Sequence, residues 1–479
     1  MNFFKLMLVF MAFLGANLSS TTFAIDLHAN ARTKQIDAES KIDKNHLSAF
    51  INTDGSSTEN AIEESNPSEP TIKNKKMSVL DEKSPVADSA SIKLGKDGLQ
   101  FETADGDFKF ELGGRIHADA SFSSDDNFLD SDGNQVNANN GTELRRGRIE
   151  YIGTFFKDWI IRNQLEFAGN EISLKDLWLK YAGLDFINIT IGEQKQAFSR
   201  ELQESSNDML FIERSVMNVI NGALVDRALG VNISSQGDTW AGQIGIYGDS
   251  IATNKRKIAA DKGWSASSRF SFTPIAEKNR LIHLGIAGNY REPNGLANTT
   301  LQLTSSSTNM SNLSLIQSTT TDINNIKMLG LEASGILGPF SLGGEYTNTW
   351  IDRKNGESNL YFNGWYGEAA WTLTGEQRNY KKGRFFRVIP TNNFNLAKNH
   401  VGAWELAARY SEVDLNDGDF KGGKLSNLTI AINWYLNENT RLMMGYDKAL
   451  EITDSPLTNS DGSKPDNLDT FILRAQLVF

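Results

Sequence analysis

Residues 145–148 read Arg-Arg-Gly-Arg, the densest basic cluster in the chain. A guanidinium presents its donors in a planar fork that matches a carboxylate or a phosphate, so grouped arginines suit the binding of oxyanions. Arg115 and Arg162 lie in neighbouring segments and extend the cluster into a positive track. Other chemistry is thinly represented. The chain has no cysteine and five histidines, with no HExxH spacing, so thiolate and histidine metal sites and cysteine nucleophiles are not expected. Neither a GxSxG elbow nor a phosphate-binding glycine loop occurs, and Asp130–Asn134 (DSDGN) lacks the later ligands of a calcium loop. Neither an enzyme nor a bound cofactor is expected. The formal net charge of −11 argues against a nucleic-acid partner.

What must position the arginines is a set of strands. Glycine (40 residues) and aromatics (10%) are plentiful and proline is scarce (9 residues), the bias of a strand-and-turn protein. The segment FILRAQLVF, 471–479, alternates without a break. Phe471, Leu473, Ala475, Leu477 and Phe479 share one face, while Arg474 and Gln476 lie on the other. Such a segment fits a half-buried sheet of a soluble protein. It fits equally the closing strand of a membrane barrel, with the apolar row toward lipid and Arg474 toward a watery interior.

Sixteen segments of this kind are expected, at 108–123, 142–155, 159–169, 173–183, 185–193, 224–235, 239–248, 264–272, 280–291, 325–336, 339–351, 360–373, 400–414, 424–436, 440–450 and 468–479. Every other connection is short, such as 156–158 and 337–338, while most of those between are long, such as 194–223 and 292–324. That parity is the habit of outer-membrane barrels. Two connections break it: 374–399 is long where a turn belongs, and 170–172 is short where a loop belongs. Trp159, Trp178, Trp240, Trp264, Trp350 and Trp434 lie near strand ends and suit interfacial girdles.

Residues 1–24 read as a signal peptide, with Lys5 before an apolar core at 6–16 too short to span a bilayer. Residues 25–95 are rich in Ser, Asn, Asp, Glu and Lys and read as a low-complexity, disordered periplasmic arm. After the signal no apolar run reaches 18 residues, so a membrane could be crossed only by a closed barrel. Residues 96–479 are therefore expected to form an all-β transmembrane antiparallel barrel of about sixteen strands.

By alternation the inner face carries Lys109, Arg115, Arg146, Arg148, Arg162, Lys180, Arg269, Arg291, Arg409, Arg441 and Arg474. It carries Glu150, Glu166, Asp176, Glu345 and Glu405 as well, so many of these charges are expected to pair across the wall. The segment 194–223 mixes both charges with apolar residues (Phe198, Leu202, Met209, Leu210, Phe211). It reads either as a constriction folded into the lumen or as an exposed surface loop.

Several stretches taken in order resemble the phosphate-selective porin O and P family of Gram-negative outer membranes. They include KDGLQFETADGDFKFELGGRIHAD (96–119), ELRRGRIEYIGTF (143–155), SSNDMLFIERS (205–215), GEAAWTLTGEQRNY (367–380), GAWELAARYSEVDL (402–415) and the terminal LRAQLVF. The resemblance implies a homotrimer of sixteen-stranded barrels in the outer membrane and an inward-folded third loop. It also implies passage of small anions such as phosphate past a basic constriction. By position the constriction takes Arg115, Arg146, Arg148 and Arg162 from the wall and Lys195, Arg200 and Arg214 from the loop. The loop is also acidic (Glu201, Glu204, Asp208, Glu213). The alternative is an adhesin or structural barrel acting through its long loops, 292–324 above all.

Overall fold

The computed structural model describes residues 90–95, 98–124, 128–138, 140–250, 263–293, 301–305, 309–310 and 313–479. The expected signal peptide, and the arm up to residue 89, lie outside them.

The barrel strands are β1 (Phe108–Ser123), β2 (Gly141–Phe155), β3 (Trp159–Glu166), β4 (Ser173–Tyr181), β5 (Asn188–Lys195), β6 (Arg227–Gln236), β7 (Trp240–Tyr247) and β8 (Trp264–Ala276). They continue with β9 (Arg280–Glu292), β10 (Ile323–Leu337), β11 (Phe340–Arg353), β12 (Leu360–Thr372), β13 (Ala403–Asp417), β14 (Phe420–Tyr435), β15 (Thr440–Thr453) and β16 (Leu468–Val478). Each pairs antiparallel with the next, and β16 returns to β1 through Thr470↔Ser123, Arg474↔Asp119 and Val478↔Arg115. The sheet thus closes on itself, which leaves no strand edge to face lipid. Beyond Phe479, β1 continues to pair with a hairpin, Ala90–Gly95 and Gly98–Thr103, through Leu99↔Leu112 and Phe101↔Phe110. The last six residues of the expected arm are therefore a strand here.

The side chains alternate as a membrane wall requires. On β9, Leu281 and His283 are buried inside, while Ile282, Leu284 and Ile286 point outward and are 40–49% exposed. Outward aromatics mark both ends of the strands: Trp159, Trp240 and Trp371 near the short turns, Trp264 and Trp350 near the long loops. Trp434 also sits at a strand end, but Phe394 and Trp404 cover it. Trp178 departs from the girdle expectation. It shares the parity of the buried Asp176 on β4 and faces the lumen.

Two elements fold into the barrel. The third loop, 196–226, carries helices α1 (Arg200–Gln203) and α2 (Asn218–Val225). A hairpin, Asn379–Lys381 with Arg384–Phe386, enters from the short-turn end. It explains why 374–399 breaks the parity of turns and loops. The apolar core gathers on one side, where Phe198, Leu202, Ile220 and Leu224 of the loop pack with Met328, Phe362 and Val413 of the wall.

Candidate functional site

The third loop is seated by shape first. Phe198, Met217 and Ile212 insert where the inner face of the wall carries glycine. A Cβ on Gly330 would lie 3.1 Å from the Phe198 ring, one on Gly364 3.0 Å from Met217, and one on Gly445 3.2 Å from Ile212. At the entry Ser199 takes φ 54° and its hydroxyl accepts from the Leu202 amide, turning the chain inward.

Wall arginines then hold the loop backbone. Arg441 donates to the carbonyl of Met209 at 2.9 Å, Arg474 to that of Ile212 at 2.7 Å, and Arg409 to that of Glu213 at 3.2 Å. Two acidic side chains of the loop, Glu201 and Glu213, are consumed in the same interface. Glu201 meets Arg409 at 3.3 Å and Ser215 at 2.8 Å, and Glu213 meets Arg145 at 2.8 Å and Arg474 at 2.9 Å. Burial works against ionising Glu213, but Arg146, Arg145 and Arg474 more than reverse it and hold its carboxyl well below the usual range.

Arg145 reaches Glu213 because of a bulge. His117 pairs with Arg146 but Ala118 pairs with Leu144, leaving Arg145 as the extra residue in β2. A strand without the bulge sends consecutive residues to opposite faces. Here Arg145 and Arg146 both serve the interior.

On the opposite side of the loop a cavity of about 330 Å³ remains open. Six residues from the sequence expectation border it: Arg115, Arg146, Arg148, Arg162, Lys195 and Arg214. Three further cations, Lys180, Arg227 and Arg384, join them, against only three acids, Asp176, Glu204 and Asp208. These acids are already engaged: Asp176 with Arg227 at 2.9 Å, Glu204 with Arg200 and Arg378 at 3.6 Å each, and Asp208 with Arg387 at 3.2 Å. Burial of Glu204 outweighs its two distant guanidinium neighbours and raises its carboxyl to about 7. Arg115 and Arg146 are buried and make only long ion pairs, with Glu150 at 3.8 Å and Glu213 at 3.7 Å, and among the described residues Nε of each and Nη1 of Arg146 have no hydrogen-bond partner. Arg115 also donates from Nη1 to Ser205 and Ser206 at 3.2 and 3.0 Å.

The other expected residues stand elsewhere. Arg200 is buried among Tyr366, Glu368 and Glu345, and Arg269 makes a two-pronged pair with Glu332 at 2.7 Å on both arms. Arg409, Arg441 and Arg474 brace the loop from behind. None of these five borders the basic cavity. Lys195 is the last residue of β5 and not a loop residue, and its ammonium donates to the carbonyls of Leu202 and Glu204.

Sequence reasoning missed Arg227 and Arg384 as cavity residues. Arg227 opens β6 three residues later than the expected strand start at 224, because α2 continues to Val225. Arg384 belongs to the inward hairpin, whose one advance signal was the excess length of 374–399. It donates to Gln203 at 3.3 Å, and Arg269 bonds the carbonyl of Gly383 at 3.1 Å, which fastens the hairpin beneath the loop.

Below the basic cavity lies a second one, of about 720 Å³, toward the short-turn end. The two share Arg115, Ile152, Arg162, Ser205, Asp208 and Phe386. The lower chamber balances its charges, setting Arg115, Arg162, Lys381 and Arg387 against Glu111, Glu150, Asp208 and Glu438.

A closed sixteen-stranded barrel with outward aromatic ends and a polar lumen narrowed by an inward loop defines an outer-membrane porin. The chain belongs to the phosphate-selective porin O and P family, whose model matches residues 110–479. It is 27% identical to Porin O of Pseudomonas aeruginosa over 422 residues, covering 80% of this chain and 91% of that protein. The anion-selective porin of Comamonas acidovorans shares its fold at a TM-score of 0.50 and 14% identity, over 78% of this chain and all of that one. The relatives are channels, and this chain is an outer-membrane channel.

Proposed function

We propose that the channel passes small anions and holds phosphate briefly at the basic cavity. The observation that carries this is the separation of charge inside an acidic protein. Two of the third loop's carboxylates, Glu201 and Glu213, are spent on wall arginines behind it, while nine cations outnumber three engaged acids in front, Arg148, Arg162 and Arg227 being paired with Glu166, Glu150 and Asp176. Arg115 and Arg146 border that space with guanidinium groups, the donor type an oxyanion needs. The balanced lower chamber lets a bound anion leave, since conduction requires entry without a trap. Homotrimeric assembly is part of the same proposal, on the family's example, and chemical cross-linking of the purified protein tests it.

The deciding experiment is planar-bilayer recording under a potassium chloride gradient, with phosphate titrated in. A reversal potential on the chloride side, and block by millimolar phosphate that weakens in Arg115→Gln and Arg146→Gln, supports the reading. Cation preference with no phosphate block sinks it.

A further inference from the structure

Inorganic phosphate does not account for everything at the narrowing. On the wall, Ile152, Arg162, Trp178 and Gly192 lie in one row across β2, β3, β4 and β5, each paired with the next. The row sets a guanidinium between two apolar side chains. Gly192, at φ 130°, lets its strand lie close against the backbone of Trp178, since a Cβ there would lie 2.2 Å from the Leu177 carbonyl. The Lys180 ammonium sits 4.9 Å from the Trp178 ring centre and fixes it from above. The inward hairpin adds Phe386, which keeps 36% of its surface exposed and belongs to both cavities, as Ile152 does. A lumen built for a small hydrated ion gains little from these rings, whose faces are apolar and offer that ion no donor.

Resting on the anion reading above, we propose that the preferred solutes are organic anions that join one oxyanion head to one planar apolar group, such as aryl phosphates. The head competes with Glu150, which Arg162 meets at 2.6 Å, for that guanidinium and its neighbours, and the ring lies against Trp178 and Phe386, where flat surfaces favour offset stacking.

The test compares three probes as blockers of chloride current through the full-length protein: inorganic phosphate, glycerol phosphate and phenyl phosphate. Phenyl phosphate should half-block at a concentration about tenfold lower than glycerol phosphate, a factor of the size that ring stacking supplies. Trp178→Ala and Phe386→Ala should each shrink that gap to about twofold or less while leaving block by inorganic phosphate unchanged. Equal block by both esters in the unmodified protein, which needs no variant to fold, overturns the inference and leaves the anion channel standing. A gap that survives both substitutions also overturns it. No block by any probe, together with no chloride preference, overturns the anion reading itself.

Discussion

Two arginines of similar burial do opposite work. Arg146 borders the basic cavity and has one distant acidic partner, Glu213 at 3.7 Å, whereas Arg441 spends its guanidinium on Met209, Asn207 and Gln476. Arg146→Gln should reduce chloride preference in reversal-potential recordings and cost less stability than the Arg441 variant, because Glu213 keeps Arg145 and Arg474. Arg441→Gln should leave selectivity within about twofold and lower stability by about 1–3 kcal/mol, because two buried loop carbonyls lose their donor; urea denaturation reads the difference. Glu204 supplies the pH dependence. With its carboxyl raised to about 7, it is neutral below that pH and anionic above it. The cavity therefore gains a unit of positive charge as pH falls from 8 to 6, and chloride preference should rise over that interval. Glu204→Gln should hold the high preference at both pH values; an unchanged pH response in that variant would refute the assignment.

Among elements, the third loop and the hairpin 379–386 divide the lumen between them. Loop placement rests on side chains entering glycine gaps as much as on ion pairs. Gly364→Val puts methyl groups where Met217 lies, with a Cβ already 3.0 Å away. Overpacking of this sort costs about 1–3 kcal/mol. The Cβ also lies 3.2 Å from the Glu412 carbonyl, but the wall strands are paired on both sides, so the strain is relieved by movement of Met217 and α2. Single-channel traces should become noisier and the mean conductance larger. Unchanged traces would mean that the arginine ties alone hold the loop.

For the molecule as a whole, net charge and selectivity come apart. The chain carries −11, yet an ion crossing it meets a basic chamber of about 330 Å³. Surface charge is screened over ~10 Å at 0.1 M salt and ~3 Å at 1 M, whereas groups lining so small a space act at contact distance. Chloride preference should therefore fall by less than about threefold between 0.1 and 1 M potassium chloride. A collapse to no preference at 1 M would place the selectivity filter at the mouth instead.

The wall itself was readable in the chain because strand alternation is local. A period of two sends Phe471, Leu473 and Leu477 one way and Arg474 and Gln476 the other, and sixteen such segments separated by alternating turns and loops leave a barrel as the arrangement without exposed edges. The inward faces of Arg115, Arg146, Arg148 and Arg162 followed from the same parity. What alternation could not carry was which charges cancel, because pairing joins residues far apart: Glu213 with Arg474, Glu201 with Arg409, Asp208 with Arg387. Nor could it show the bulge that turns Arg145 inward, the hairpin that delivers Arg384 and Phe386, or the lumenal place of Trp178, which has the composition of a girdle residue and the parity of a pore one. A loop as acidic as it is basic says little in one dimension. Folded against the wall, Glu201 and Glu213 face backward, Glu204 and Asp208 are held by Arg200, Arg378 and Arg387, and the cations across from the loop border the cavity, a division that exists only in three dimensions.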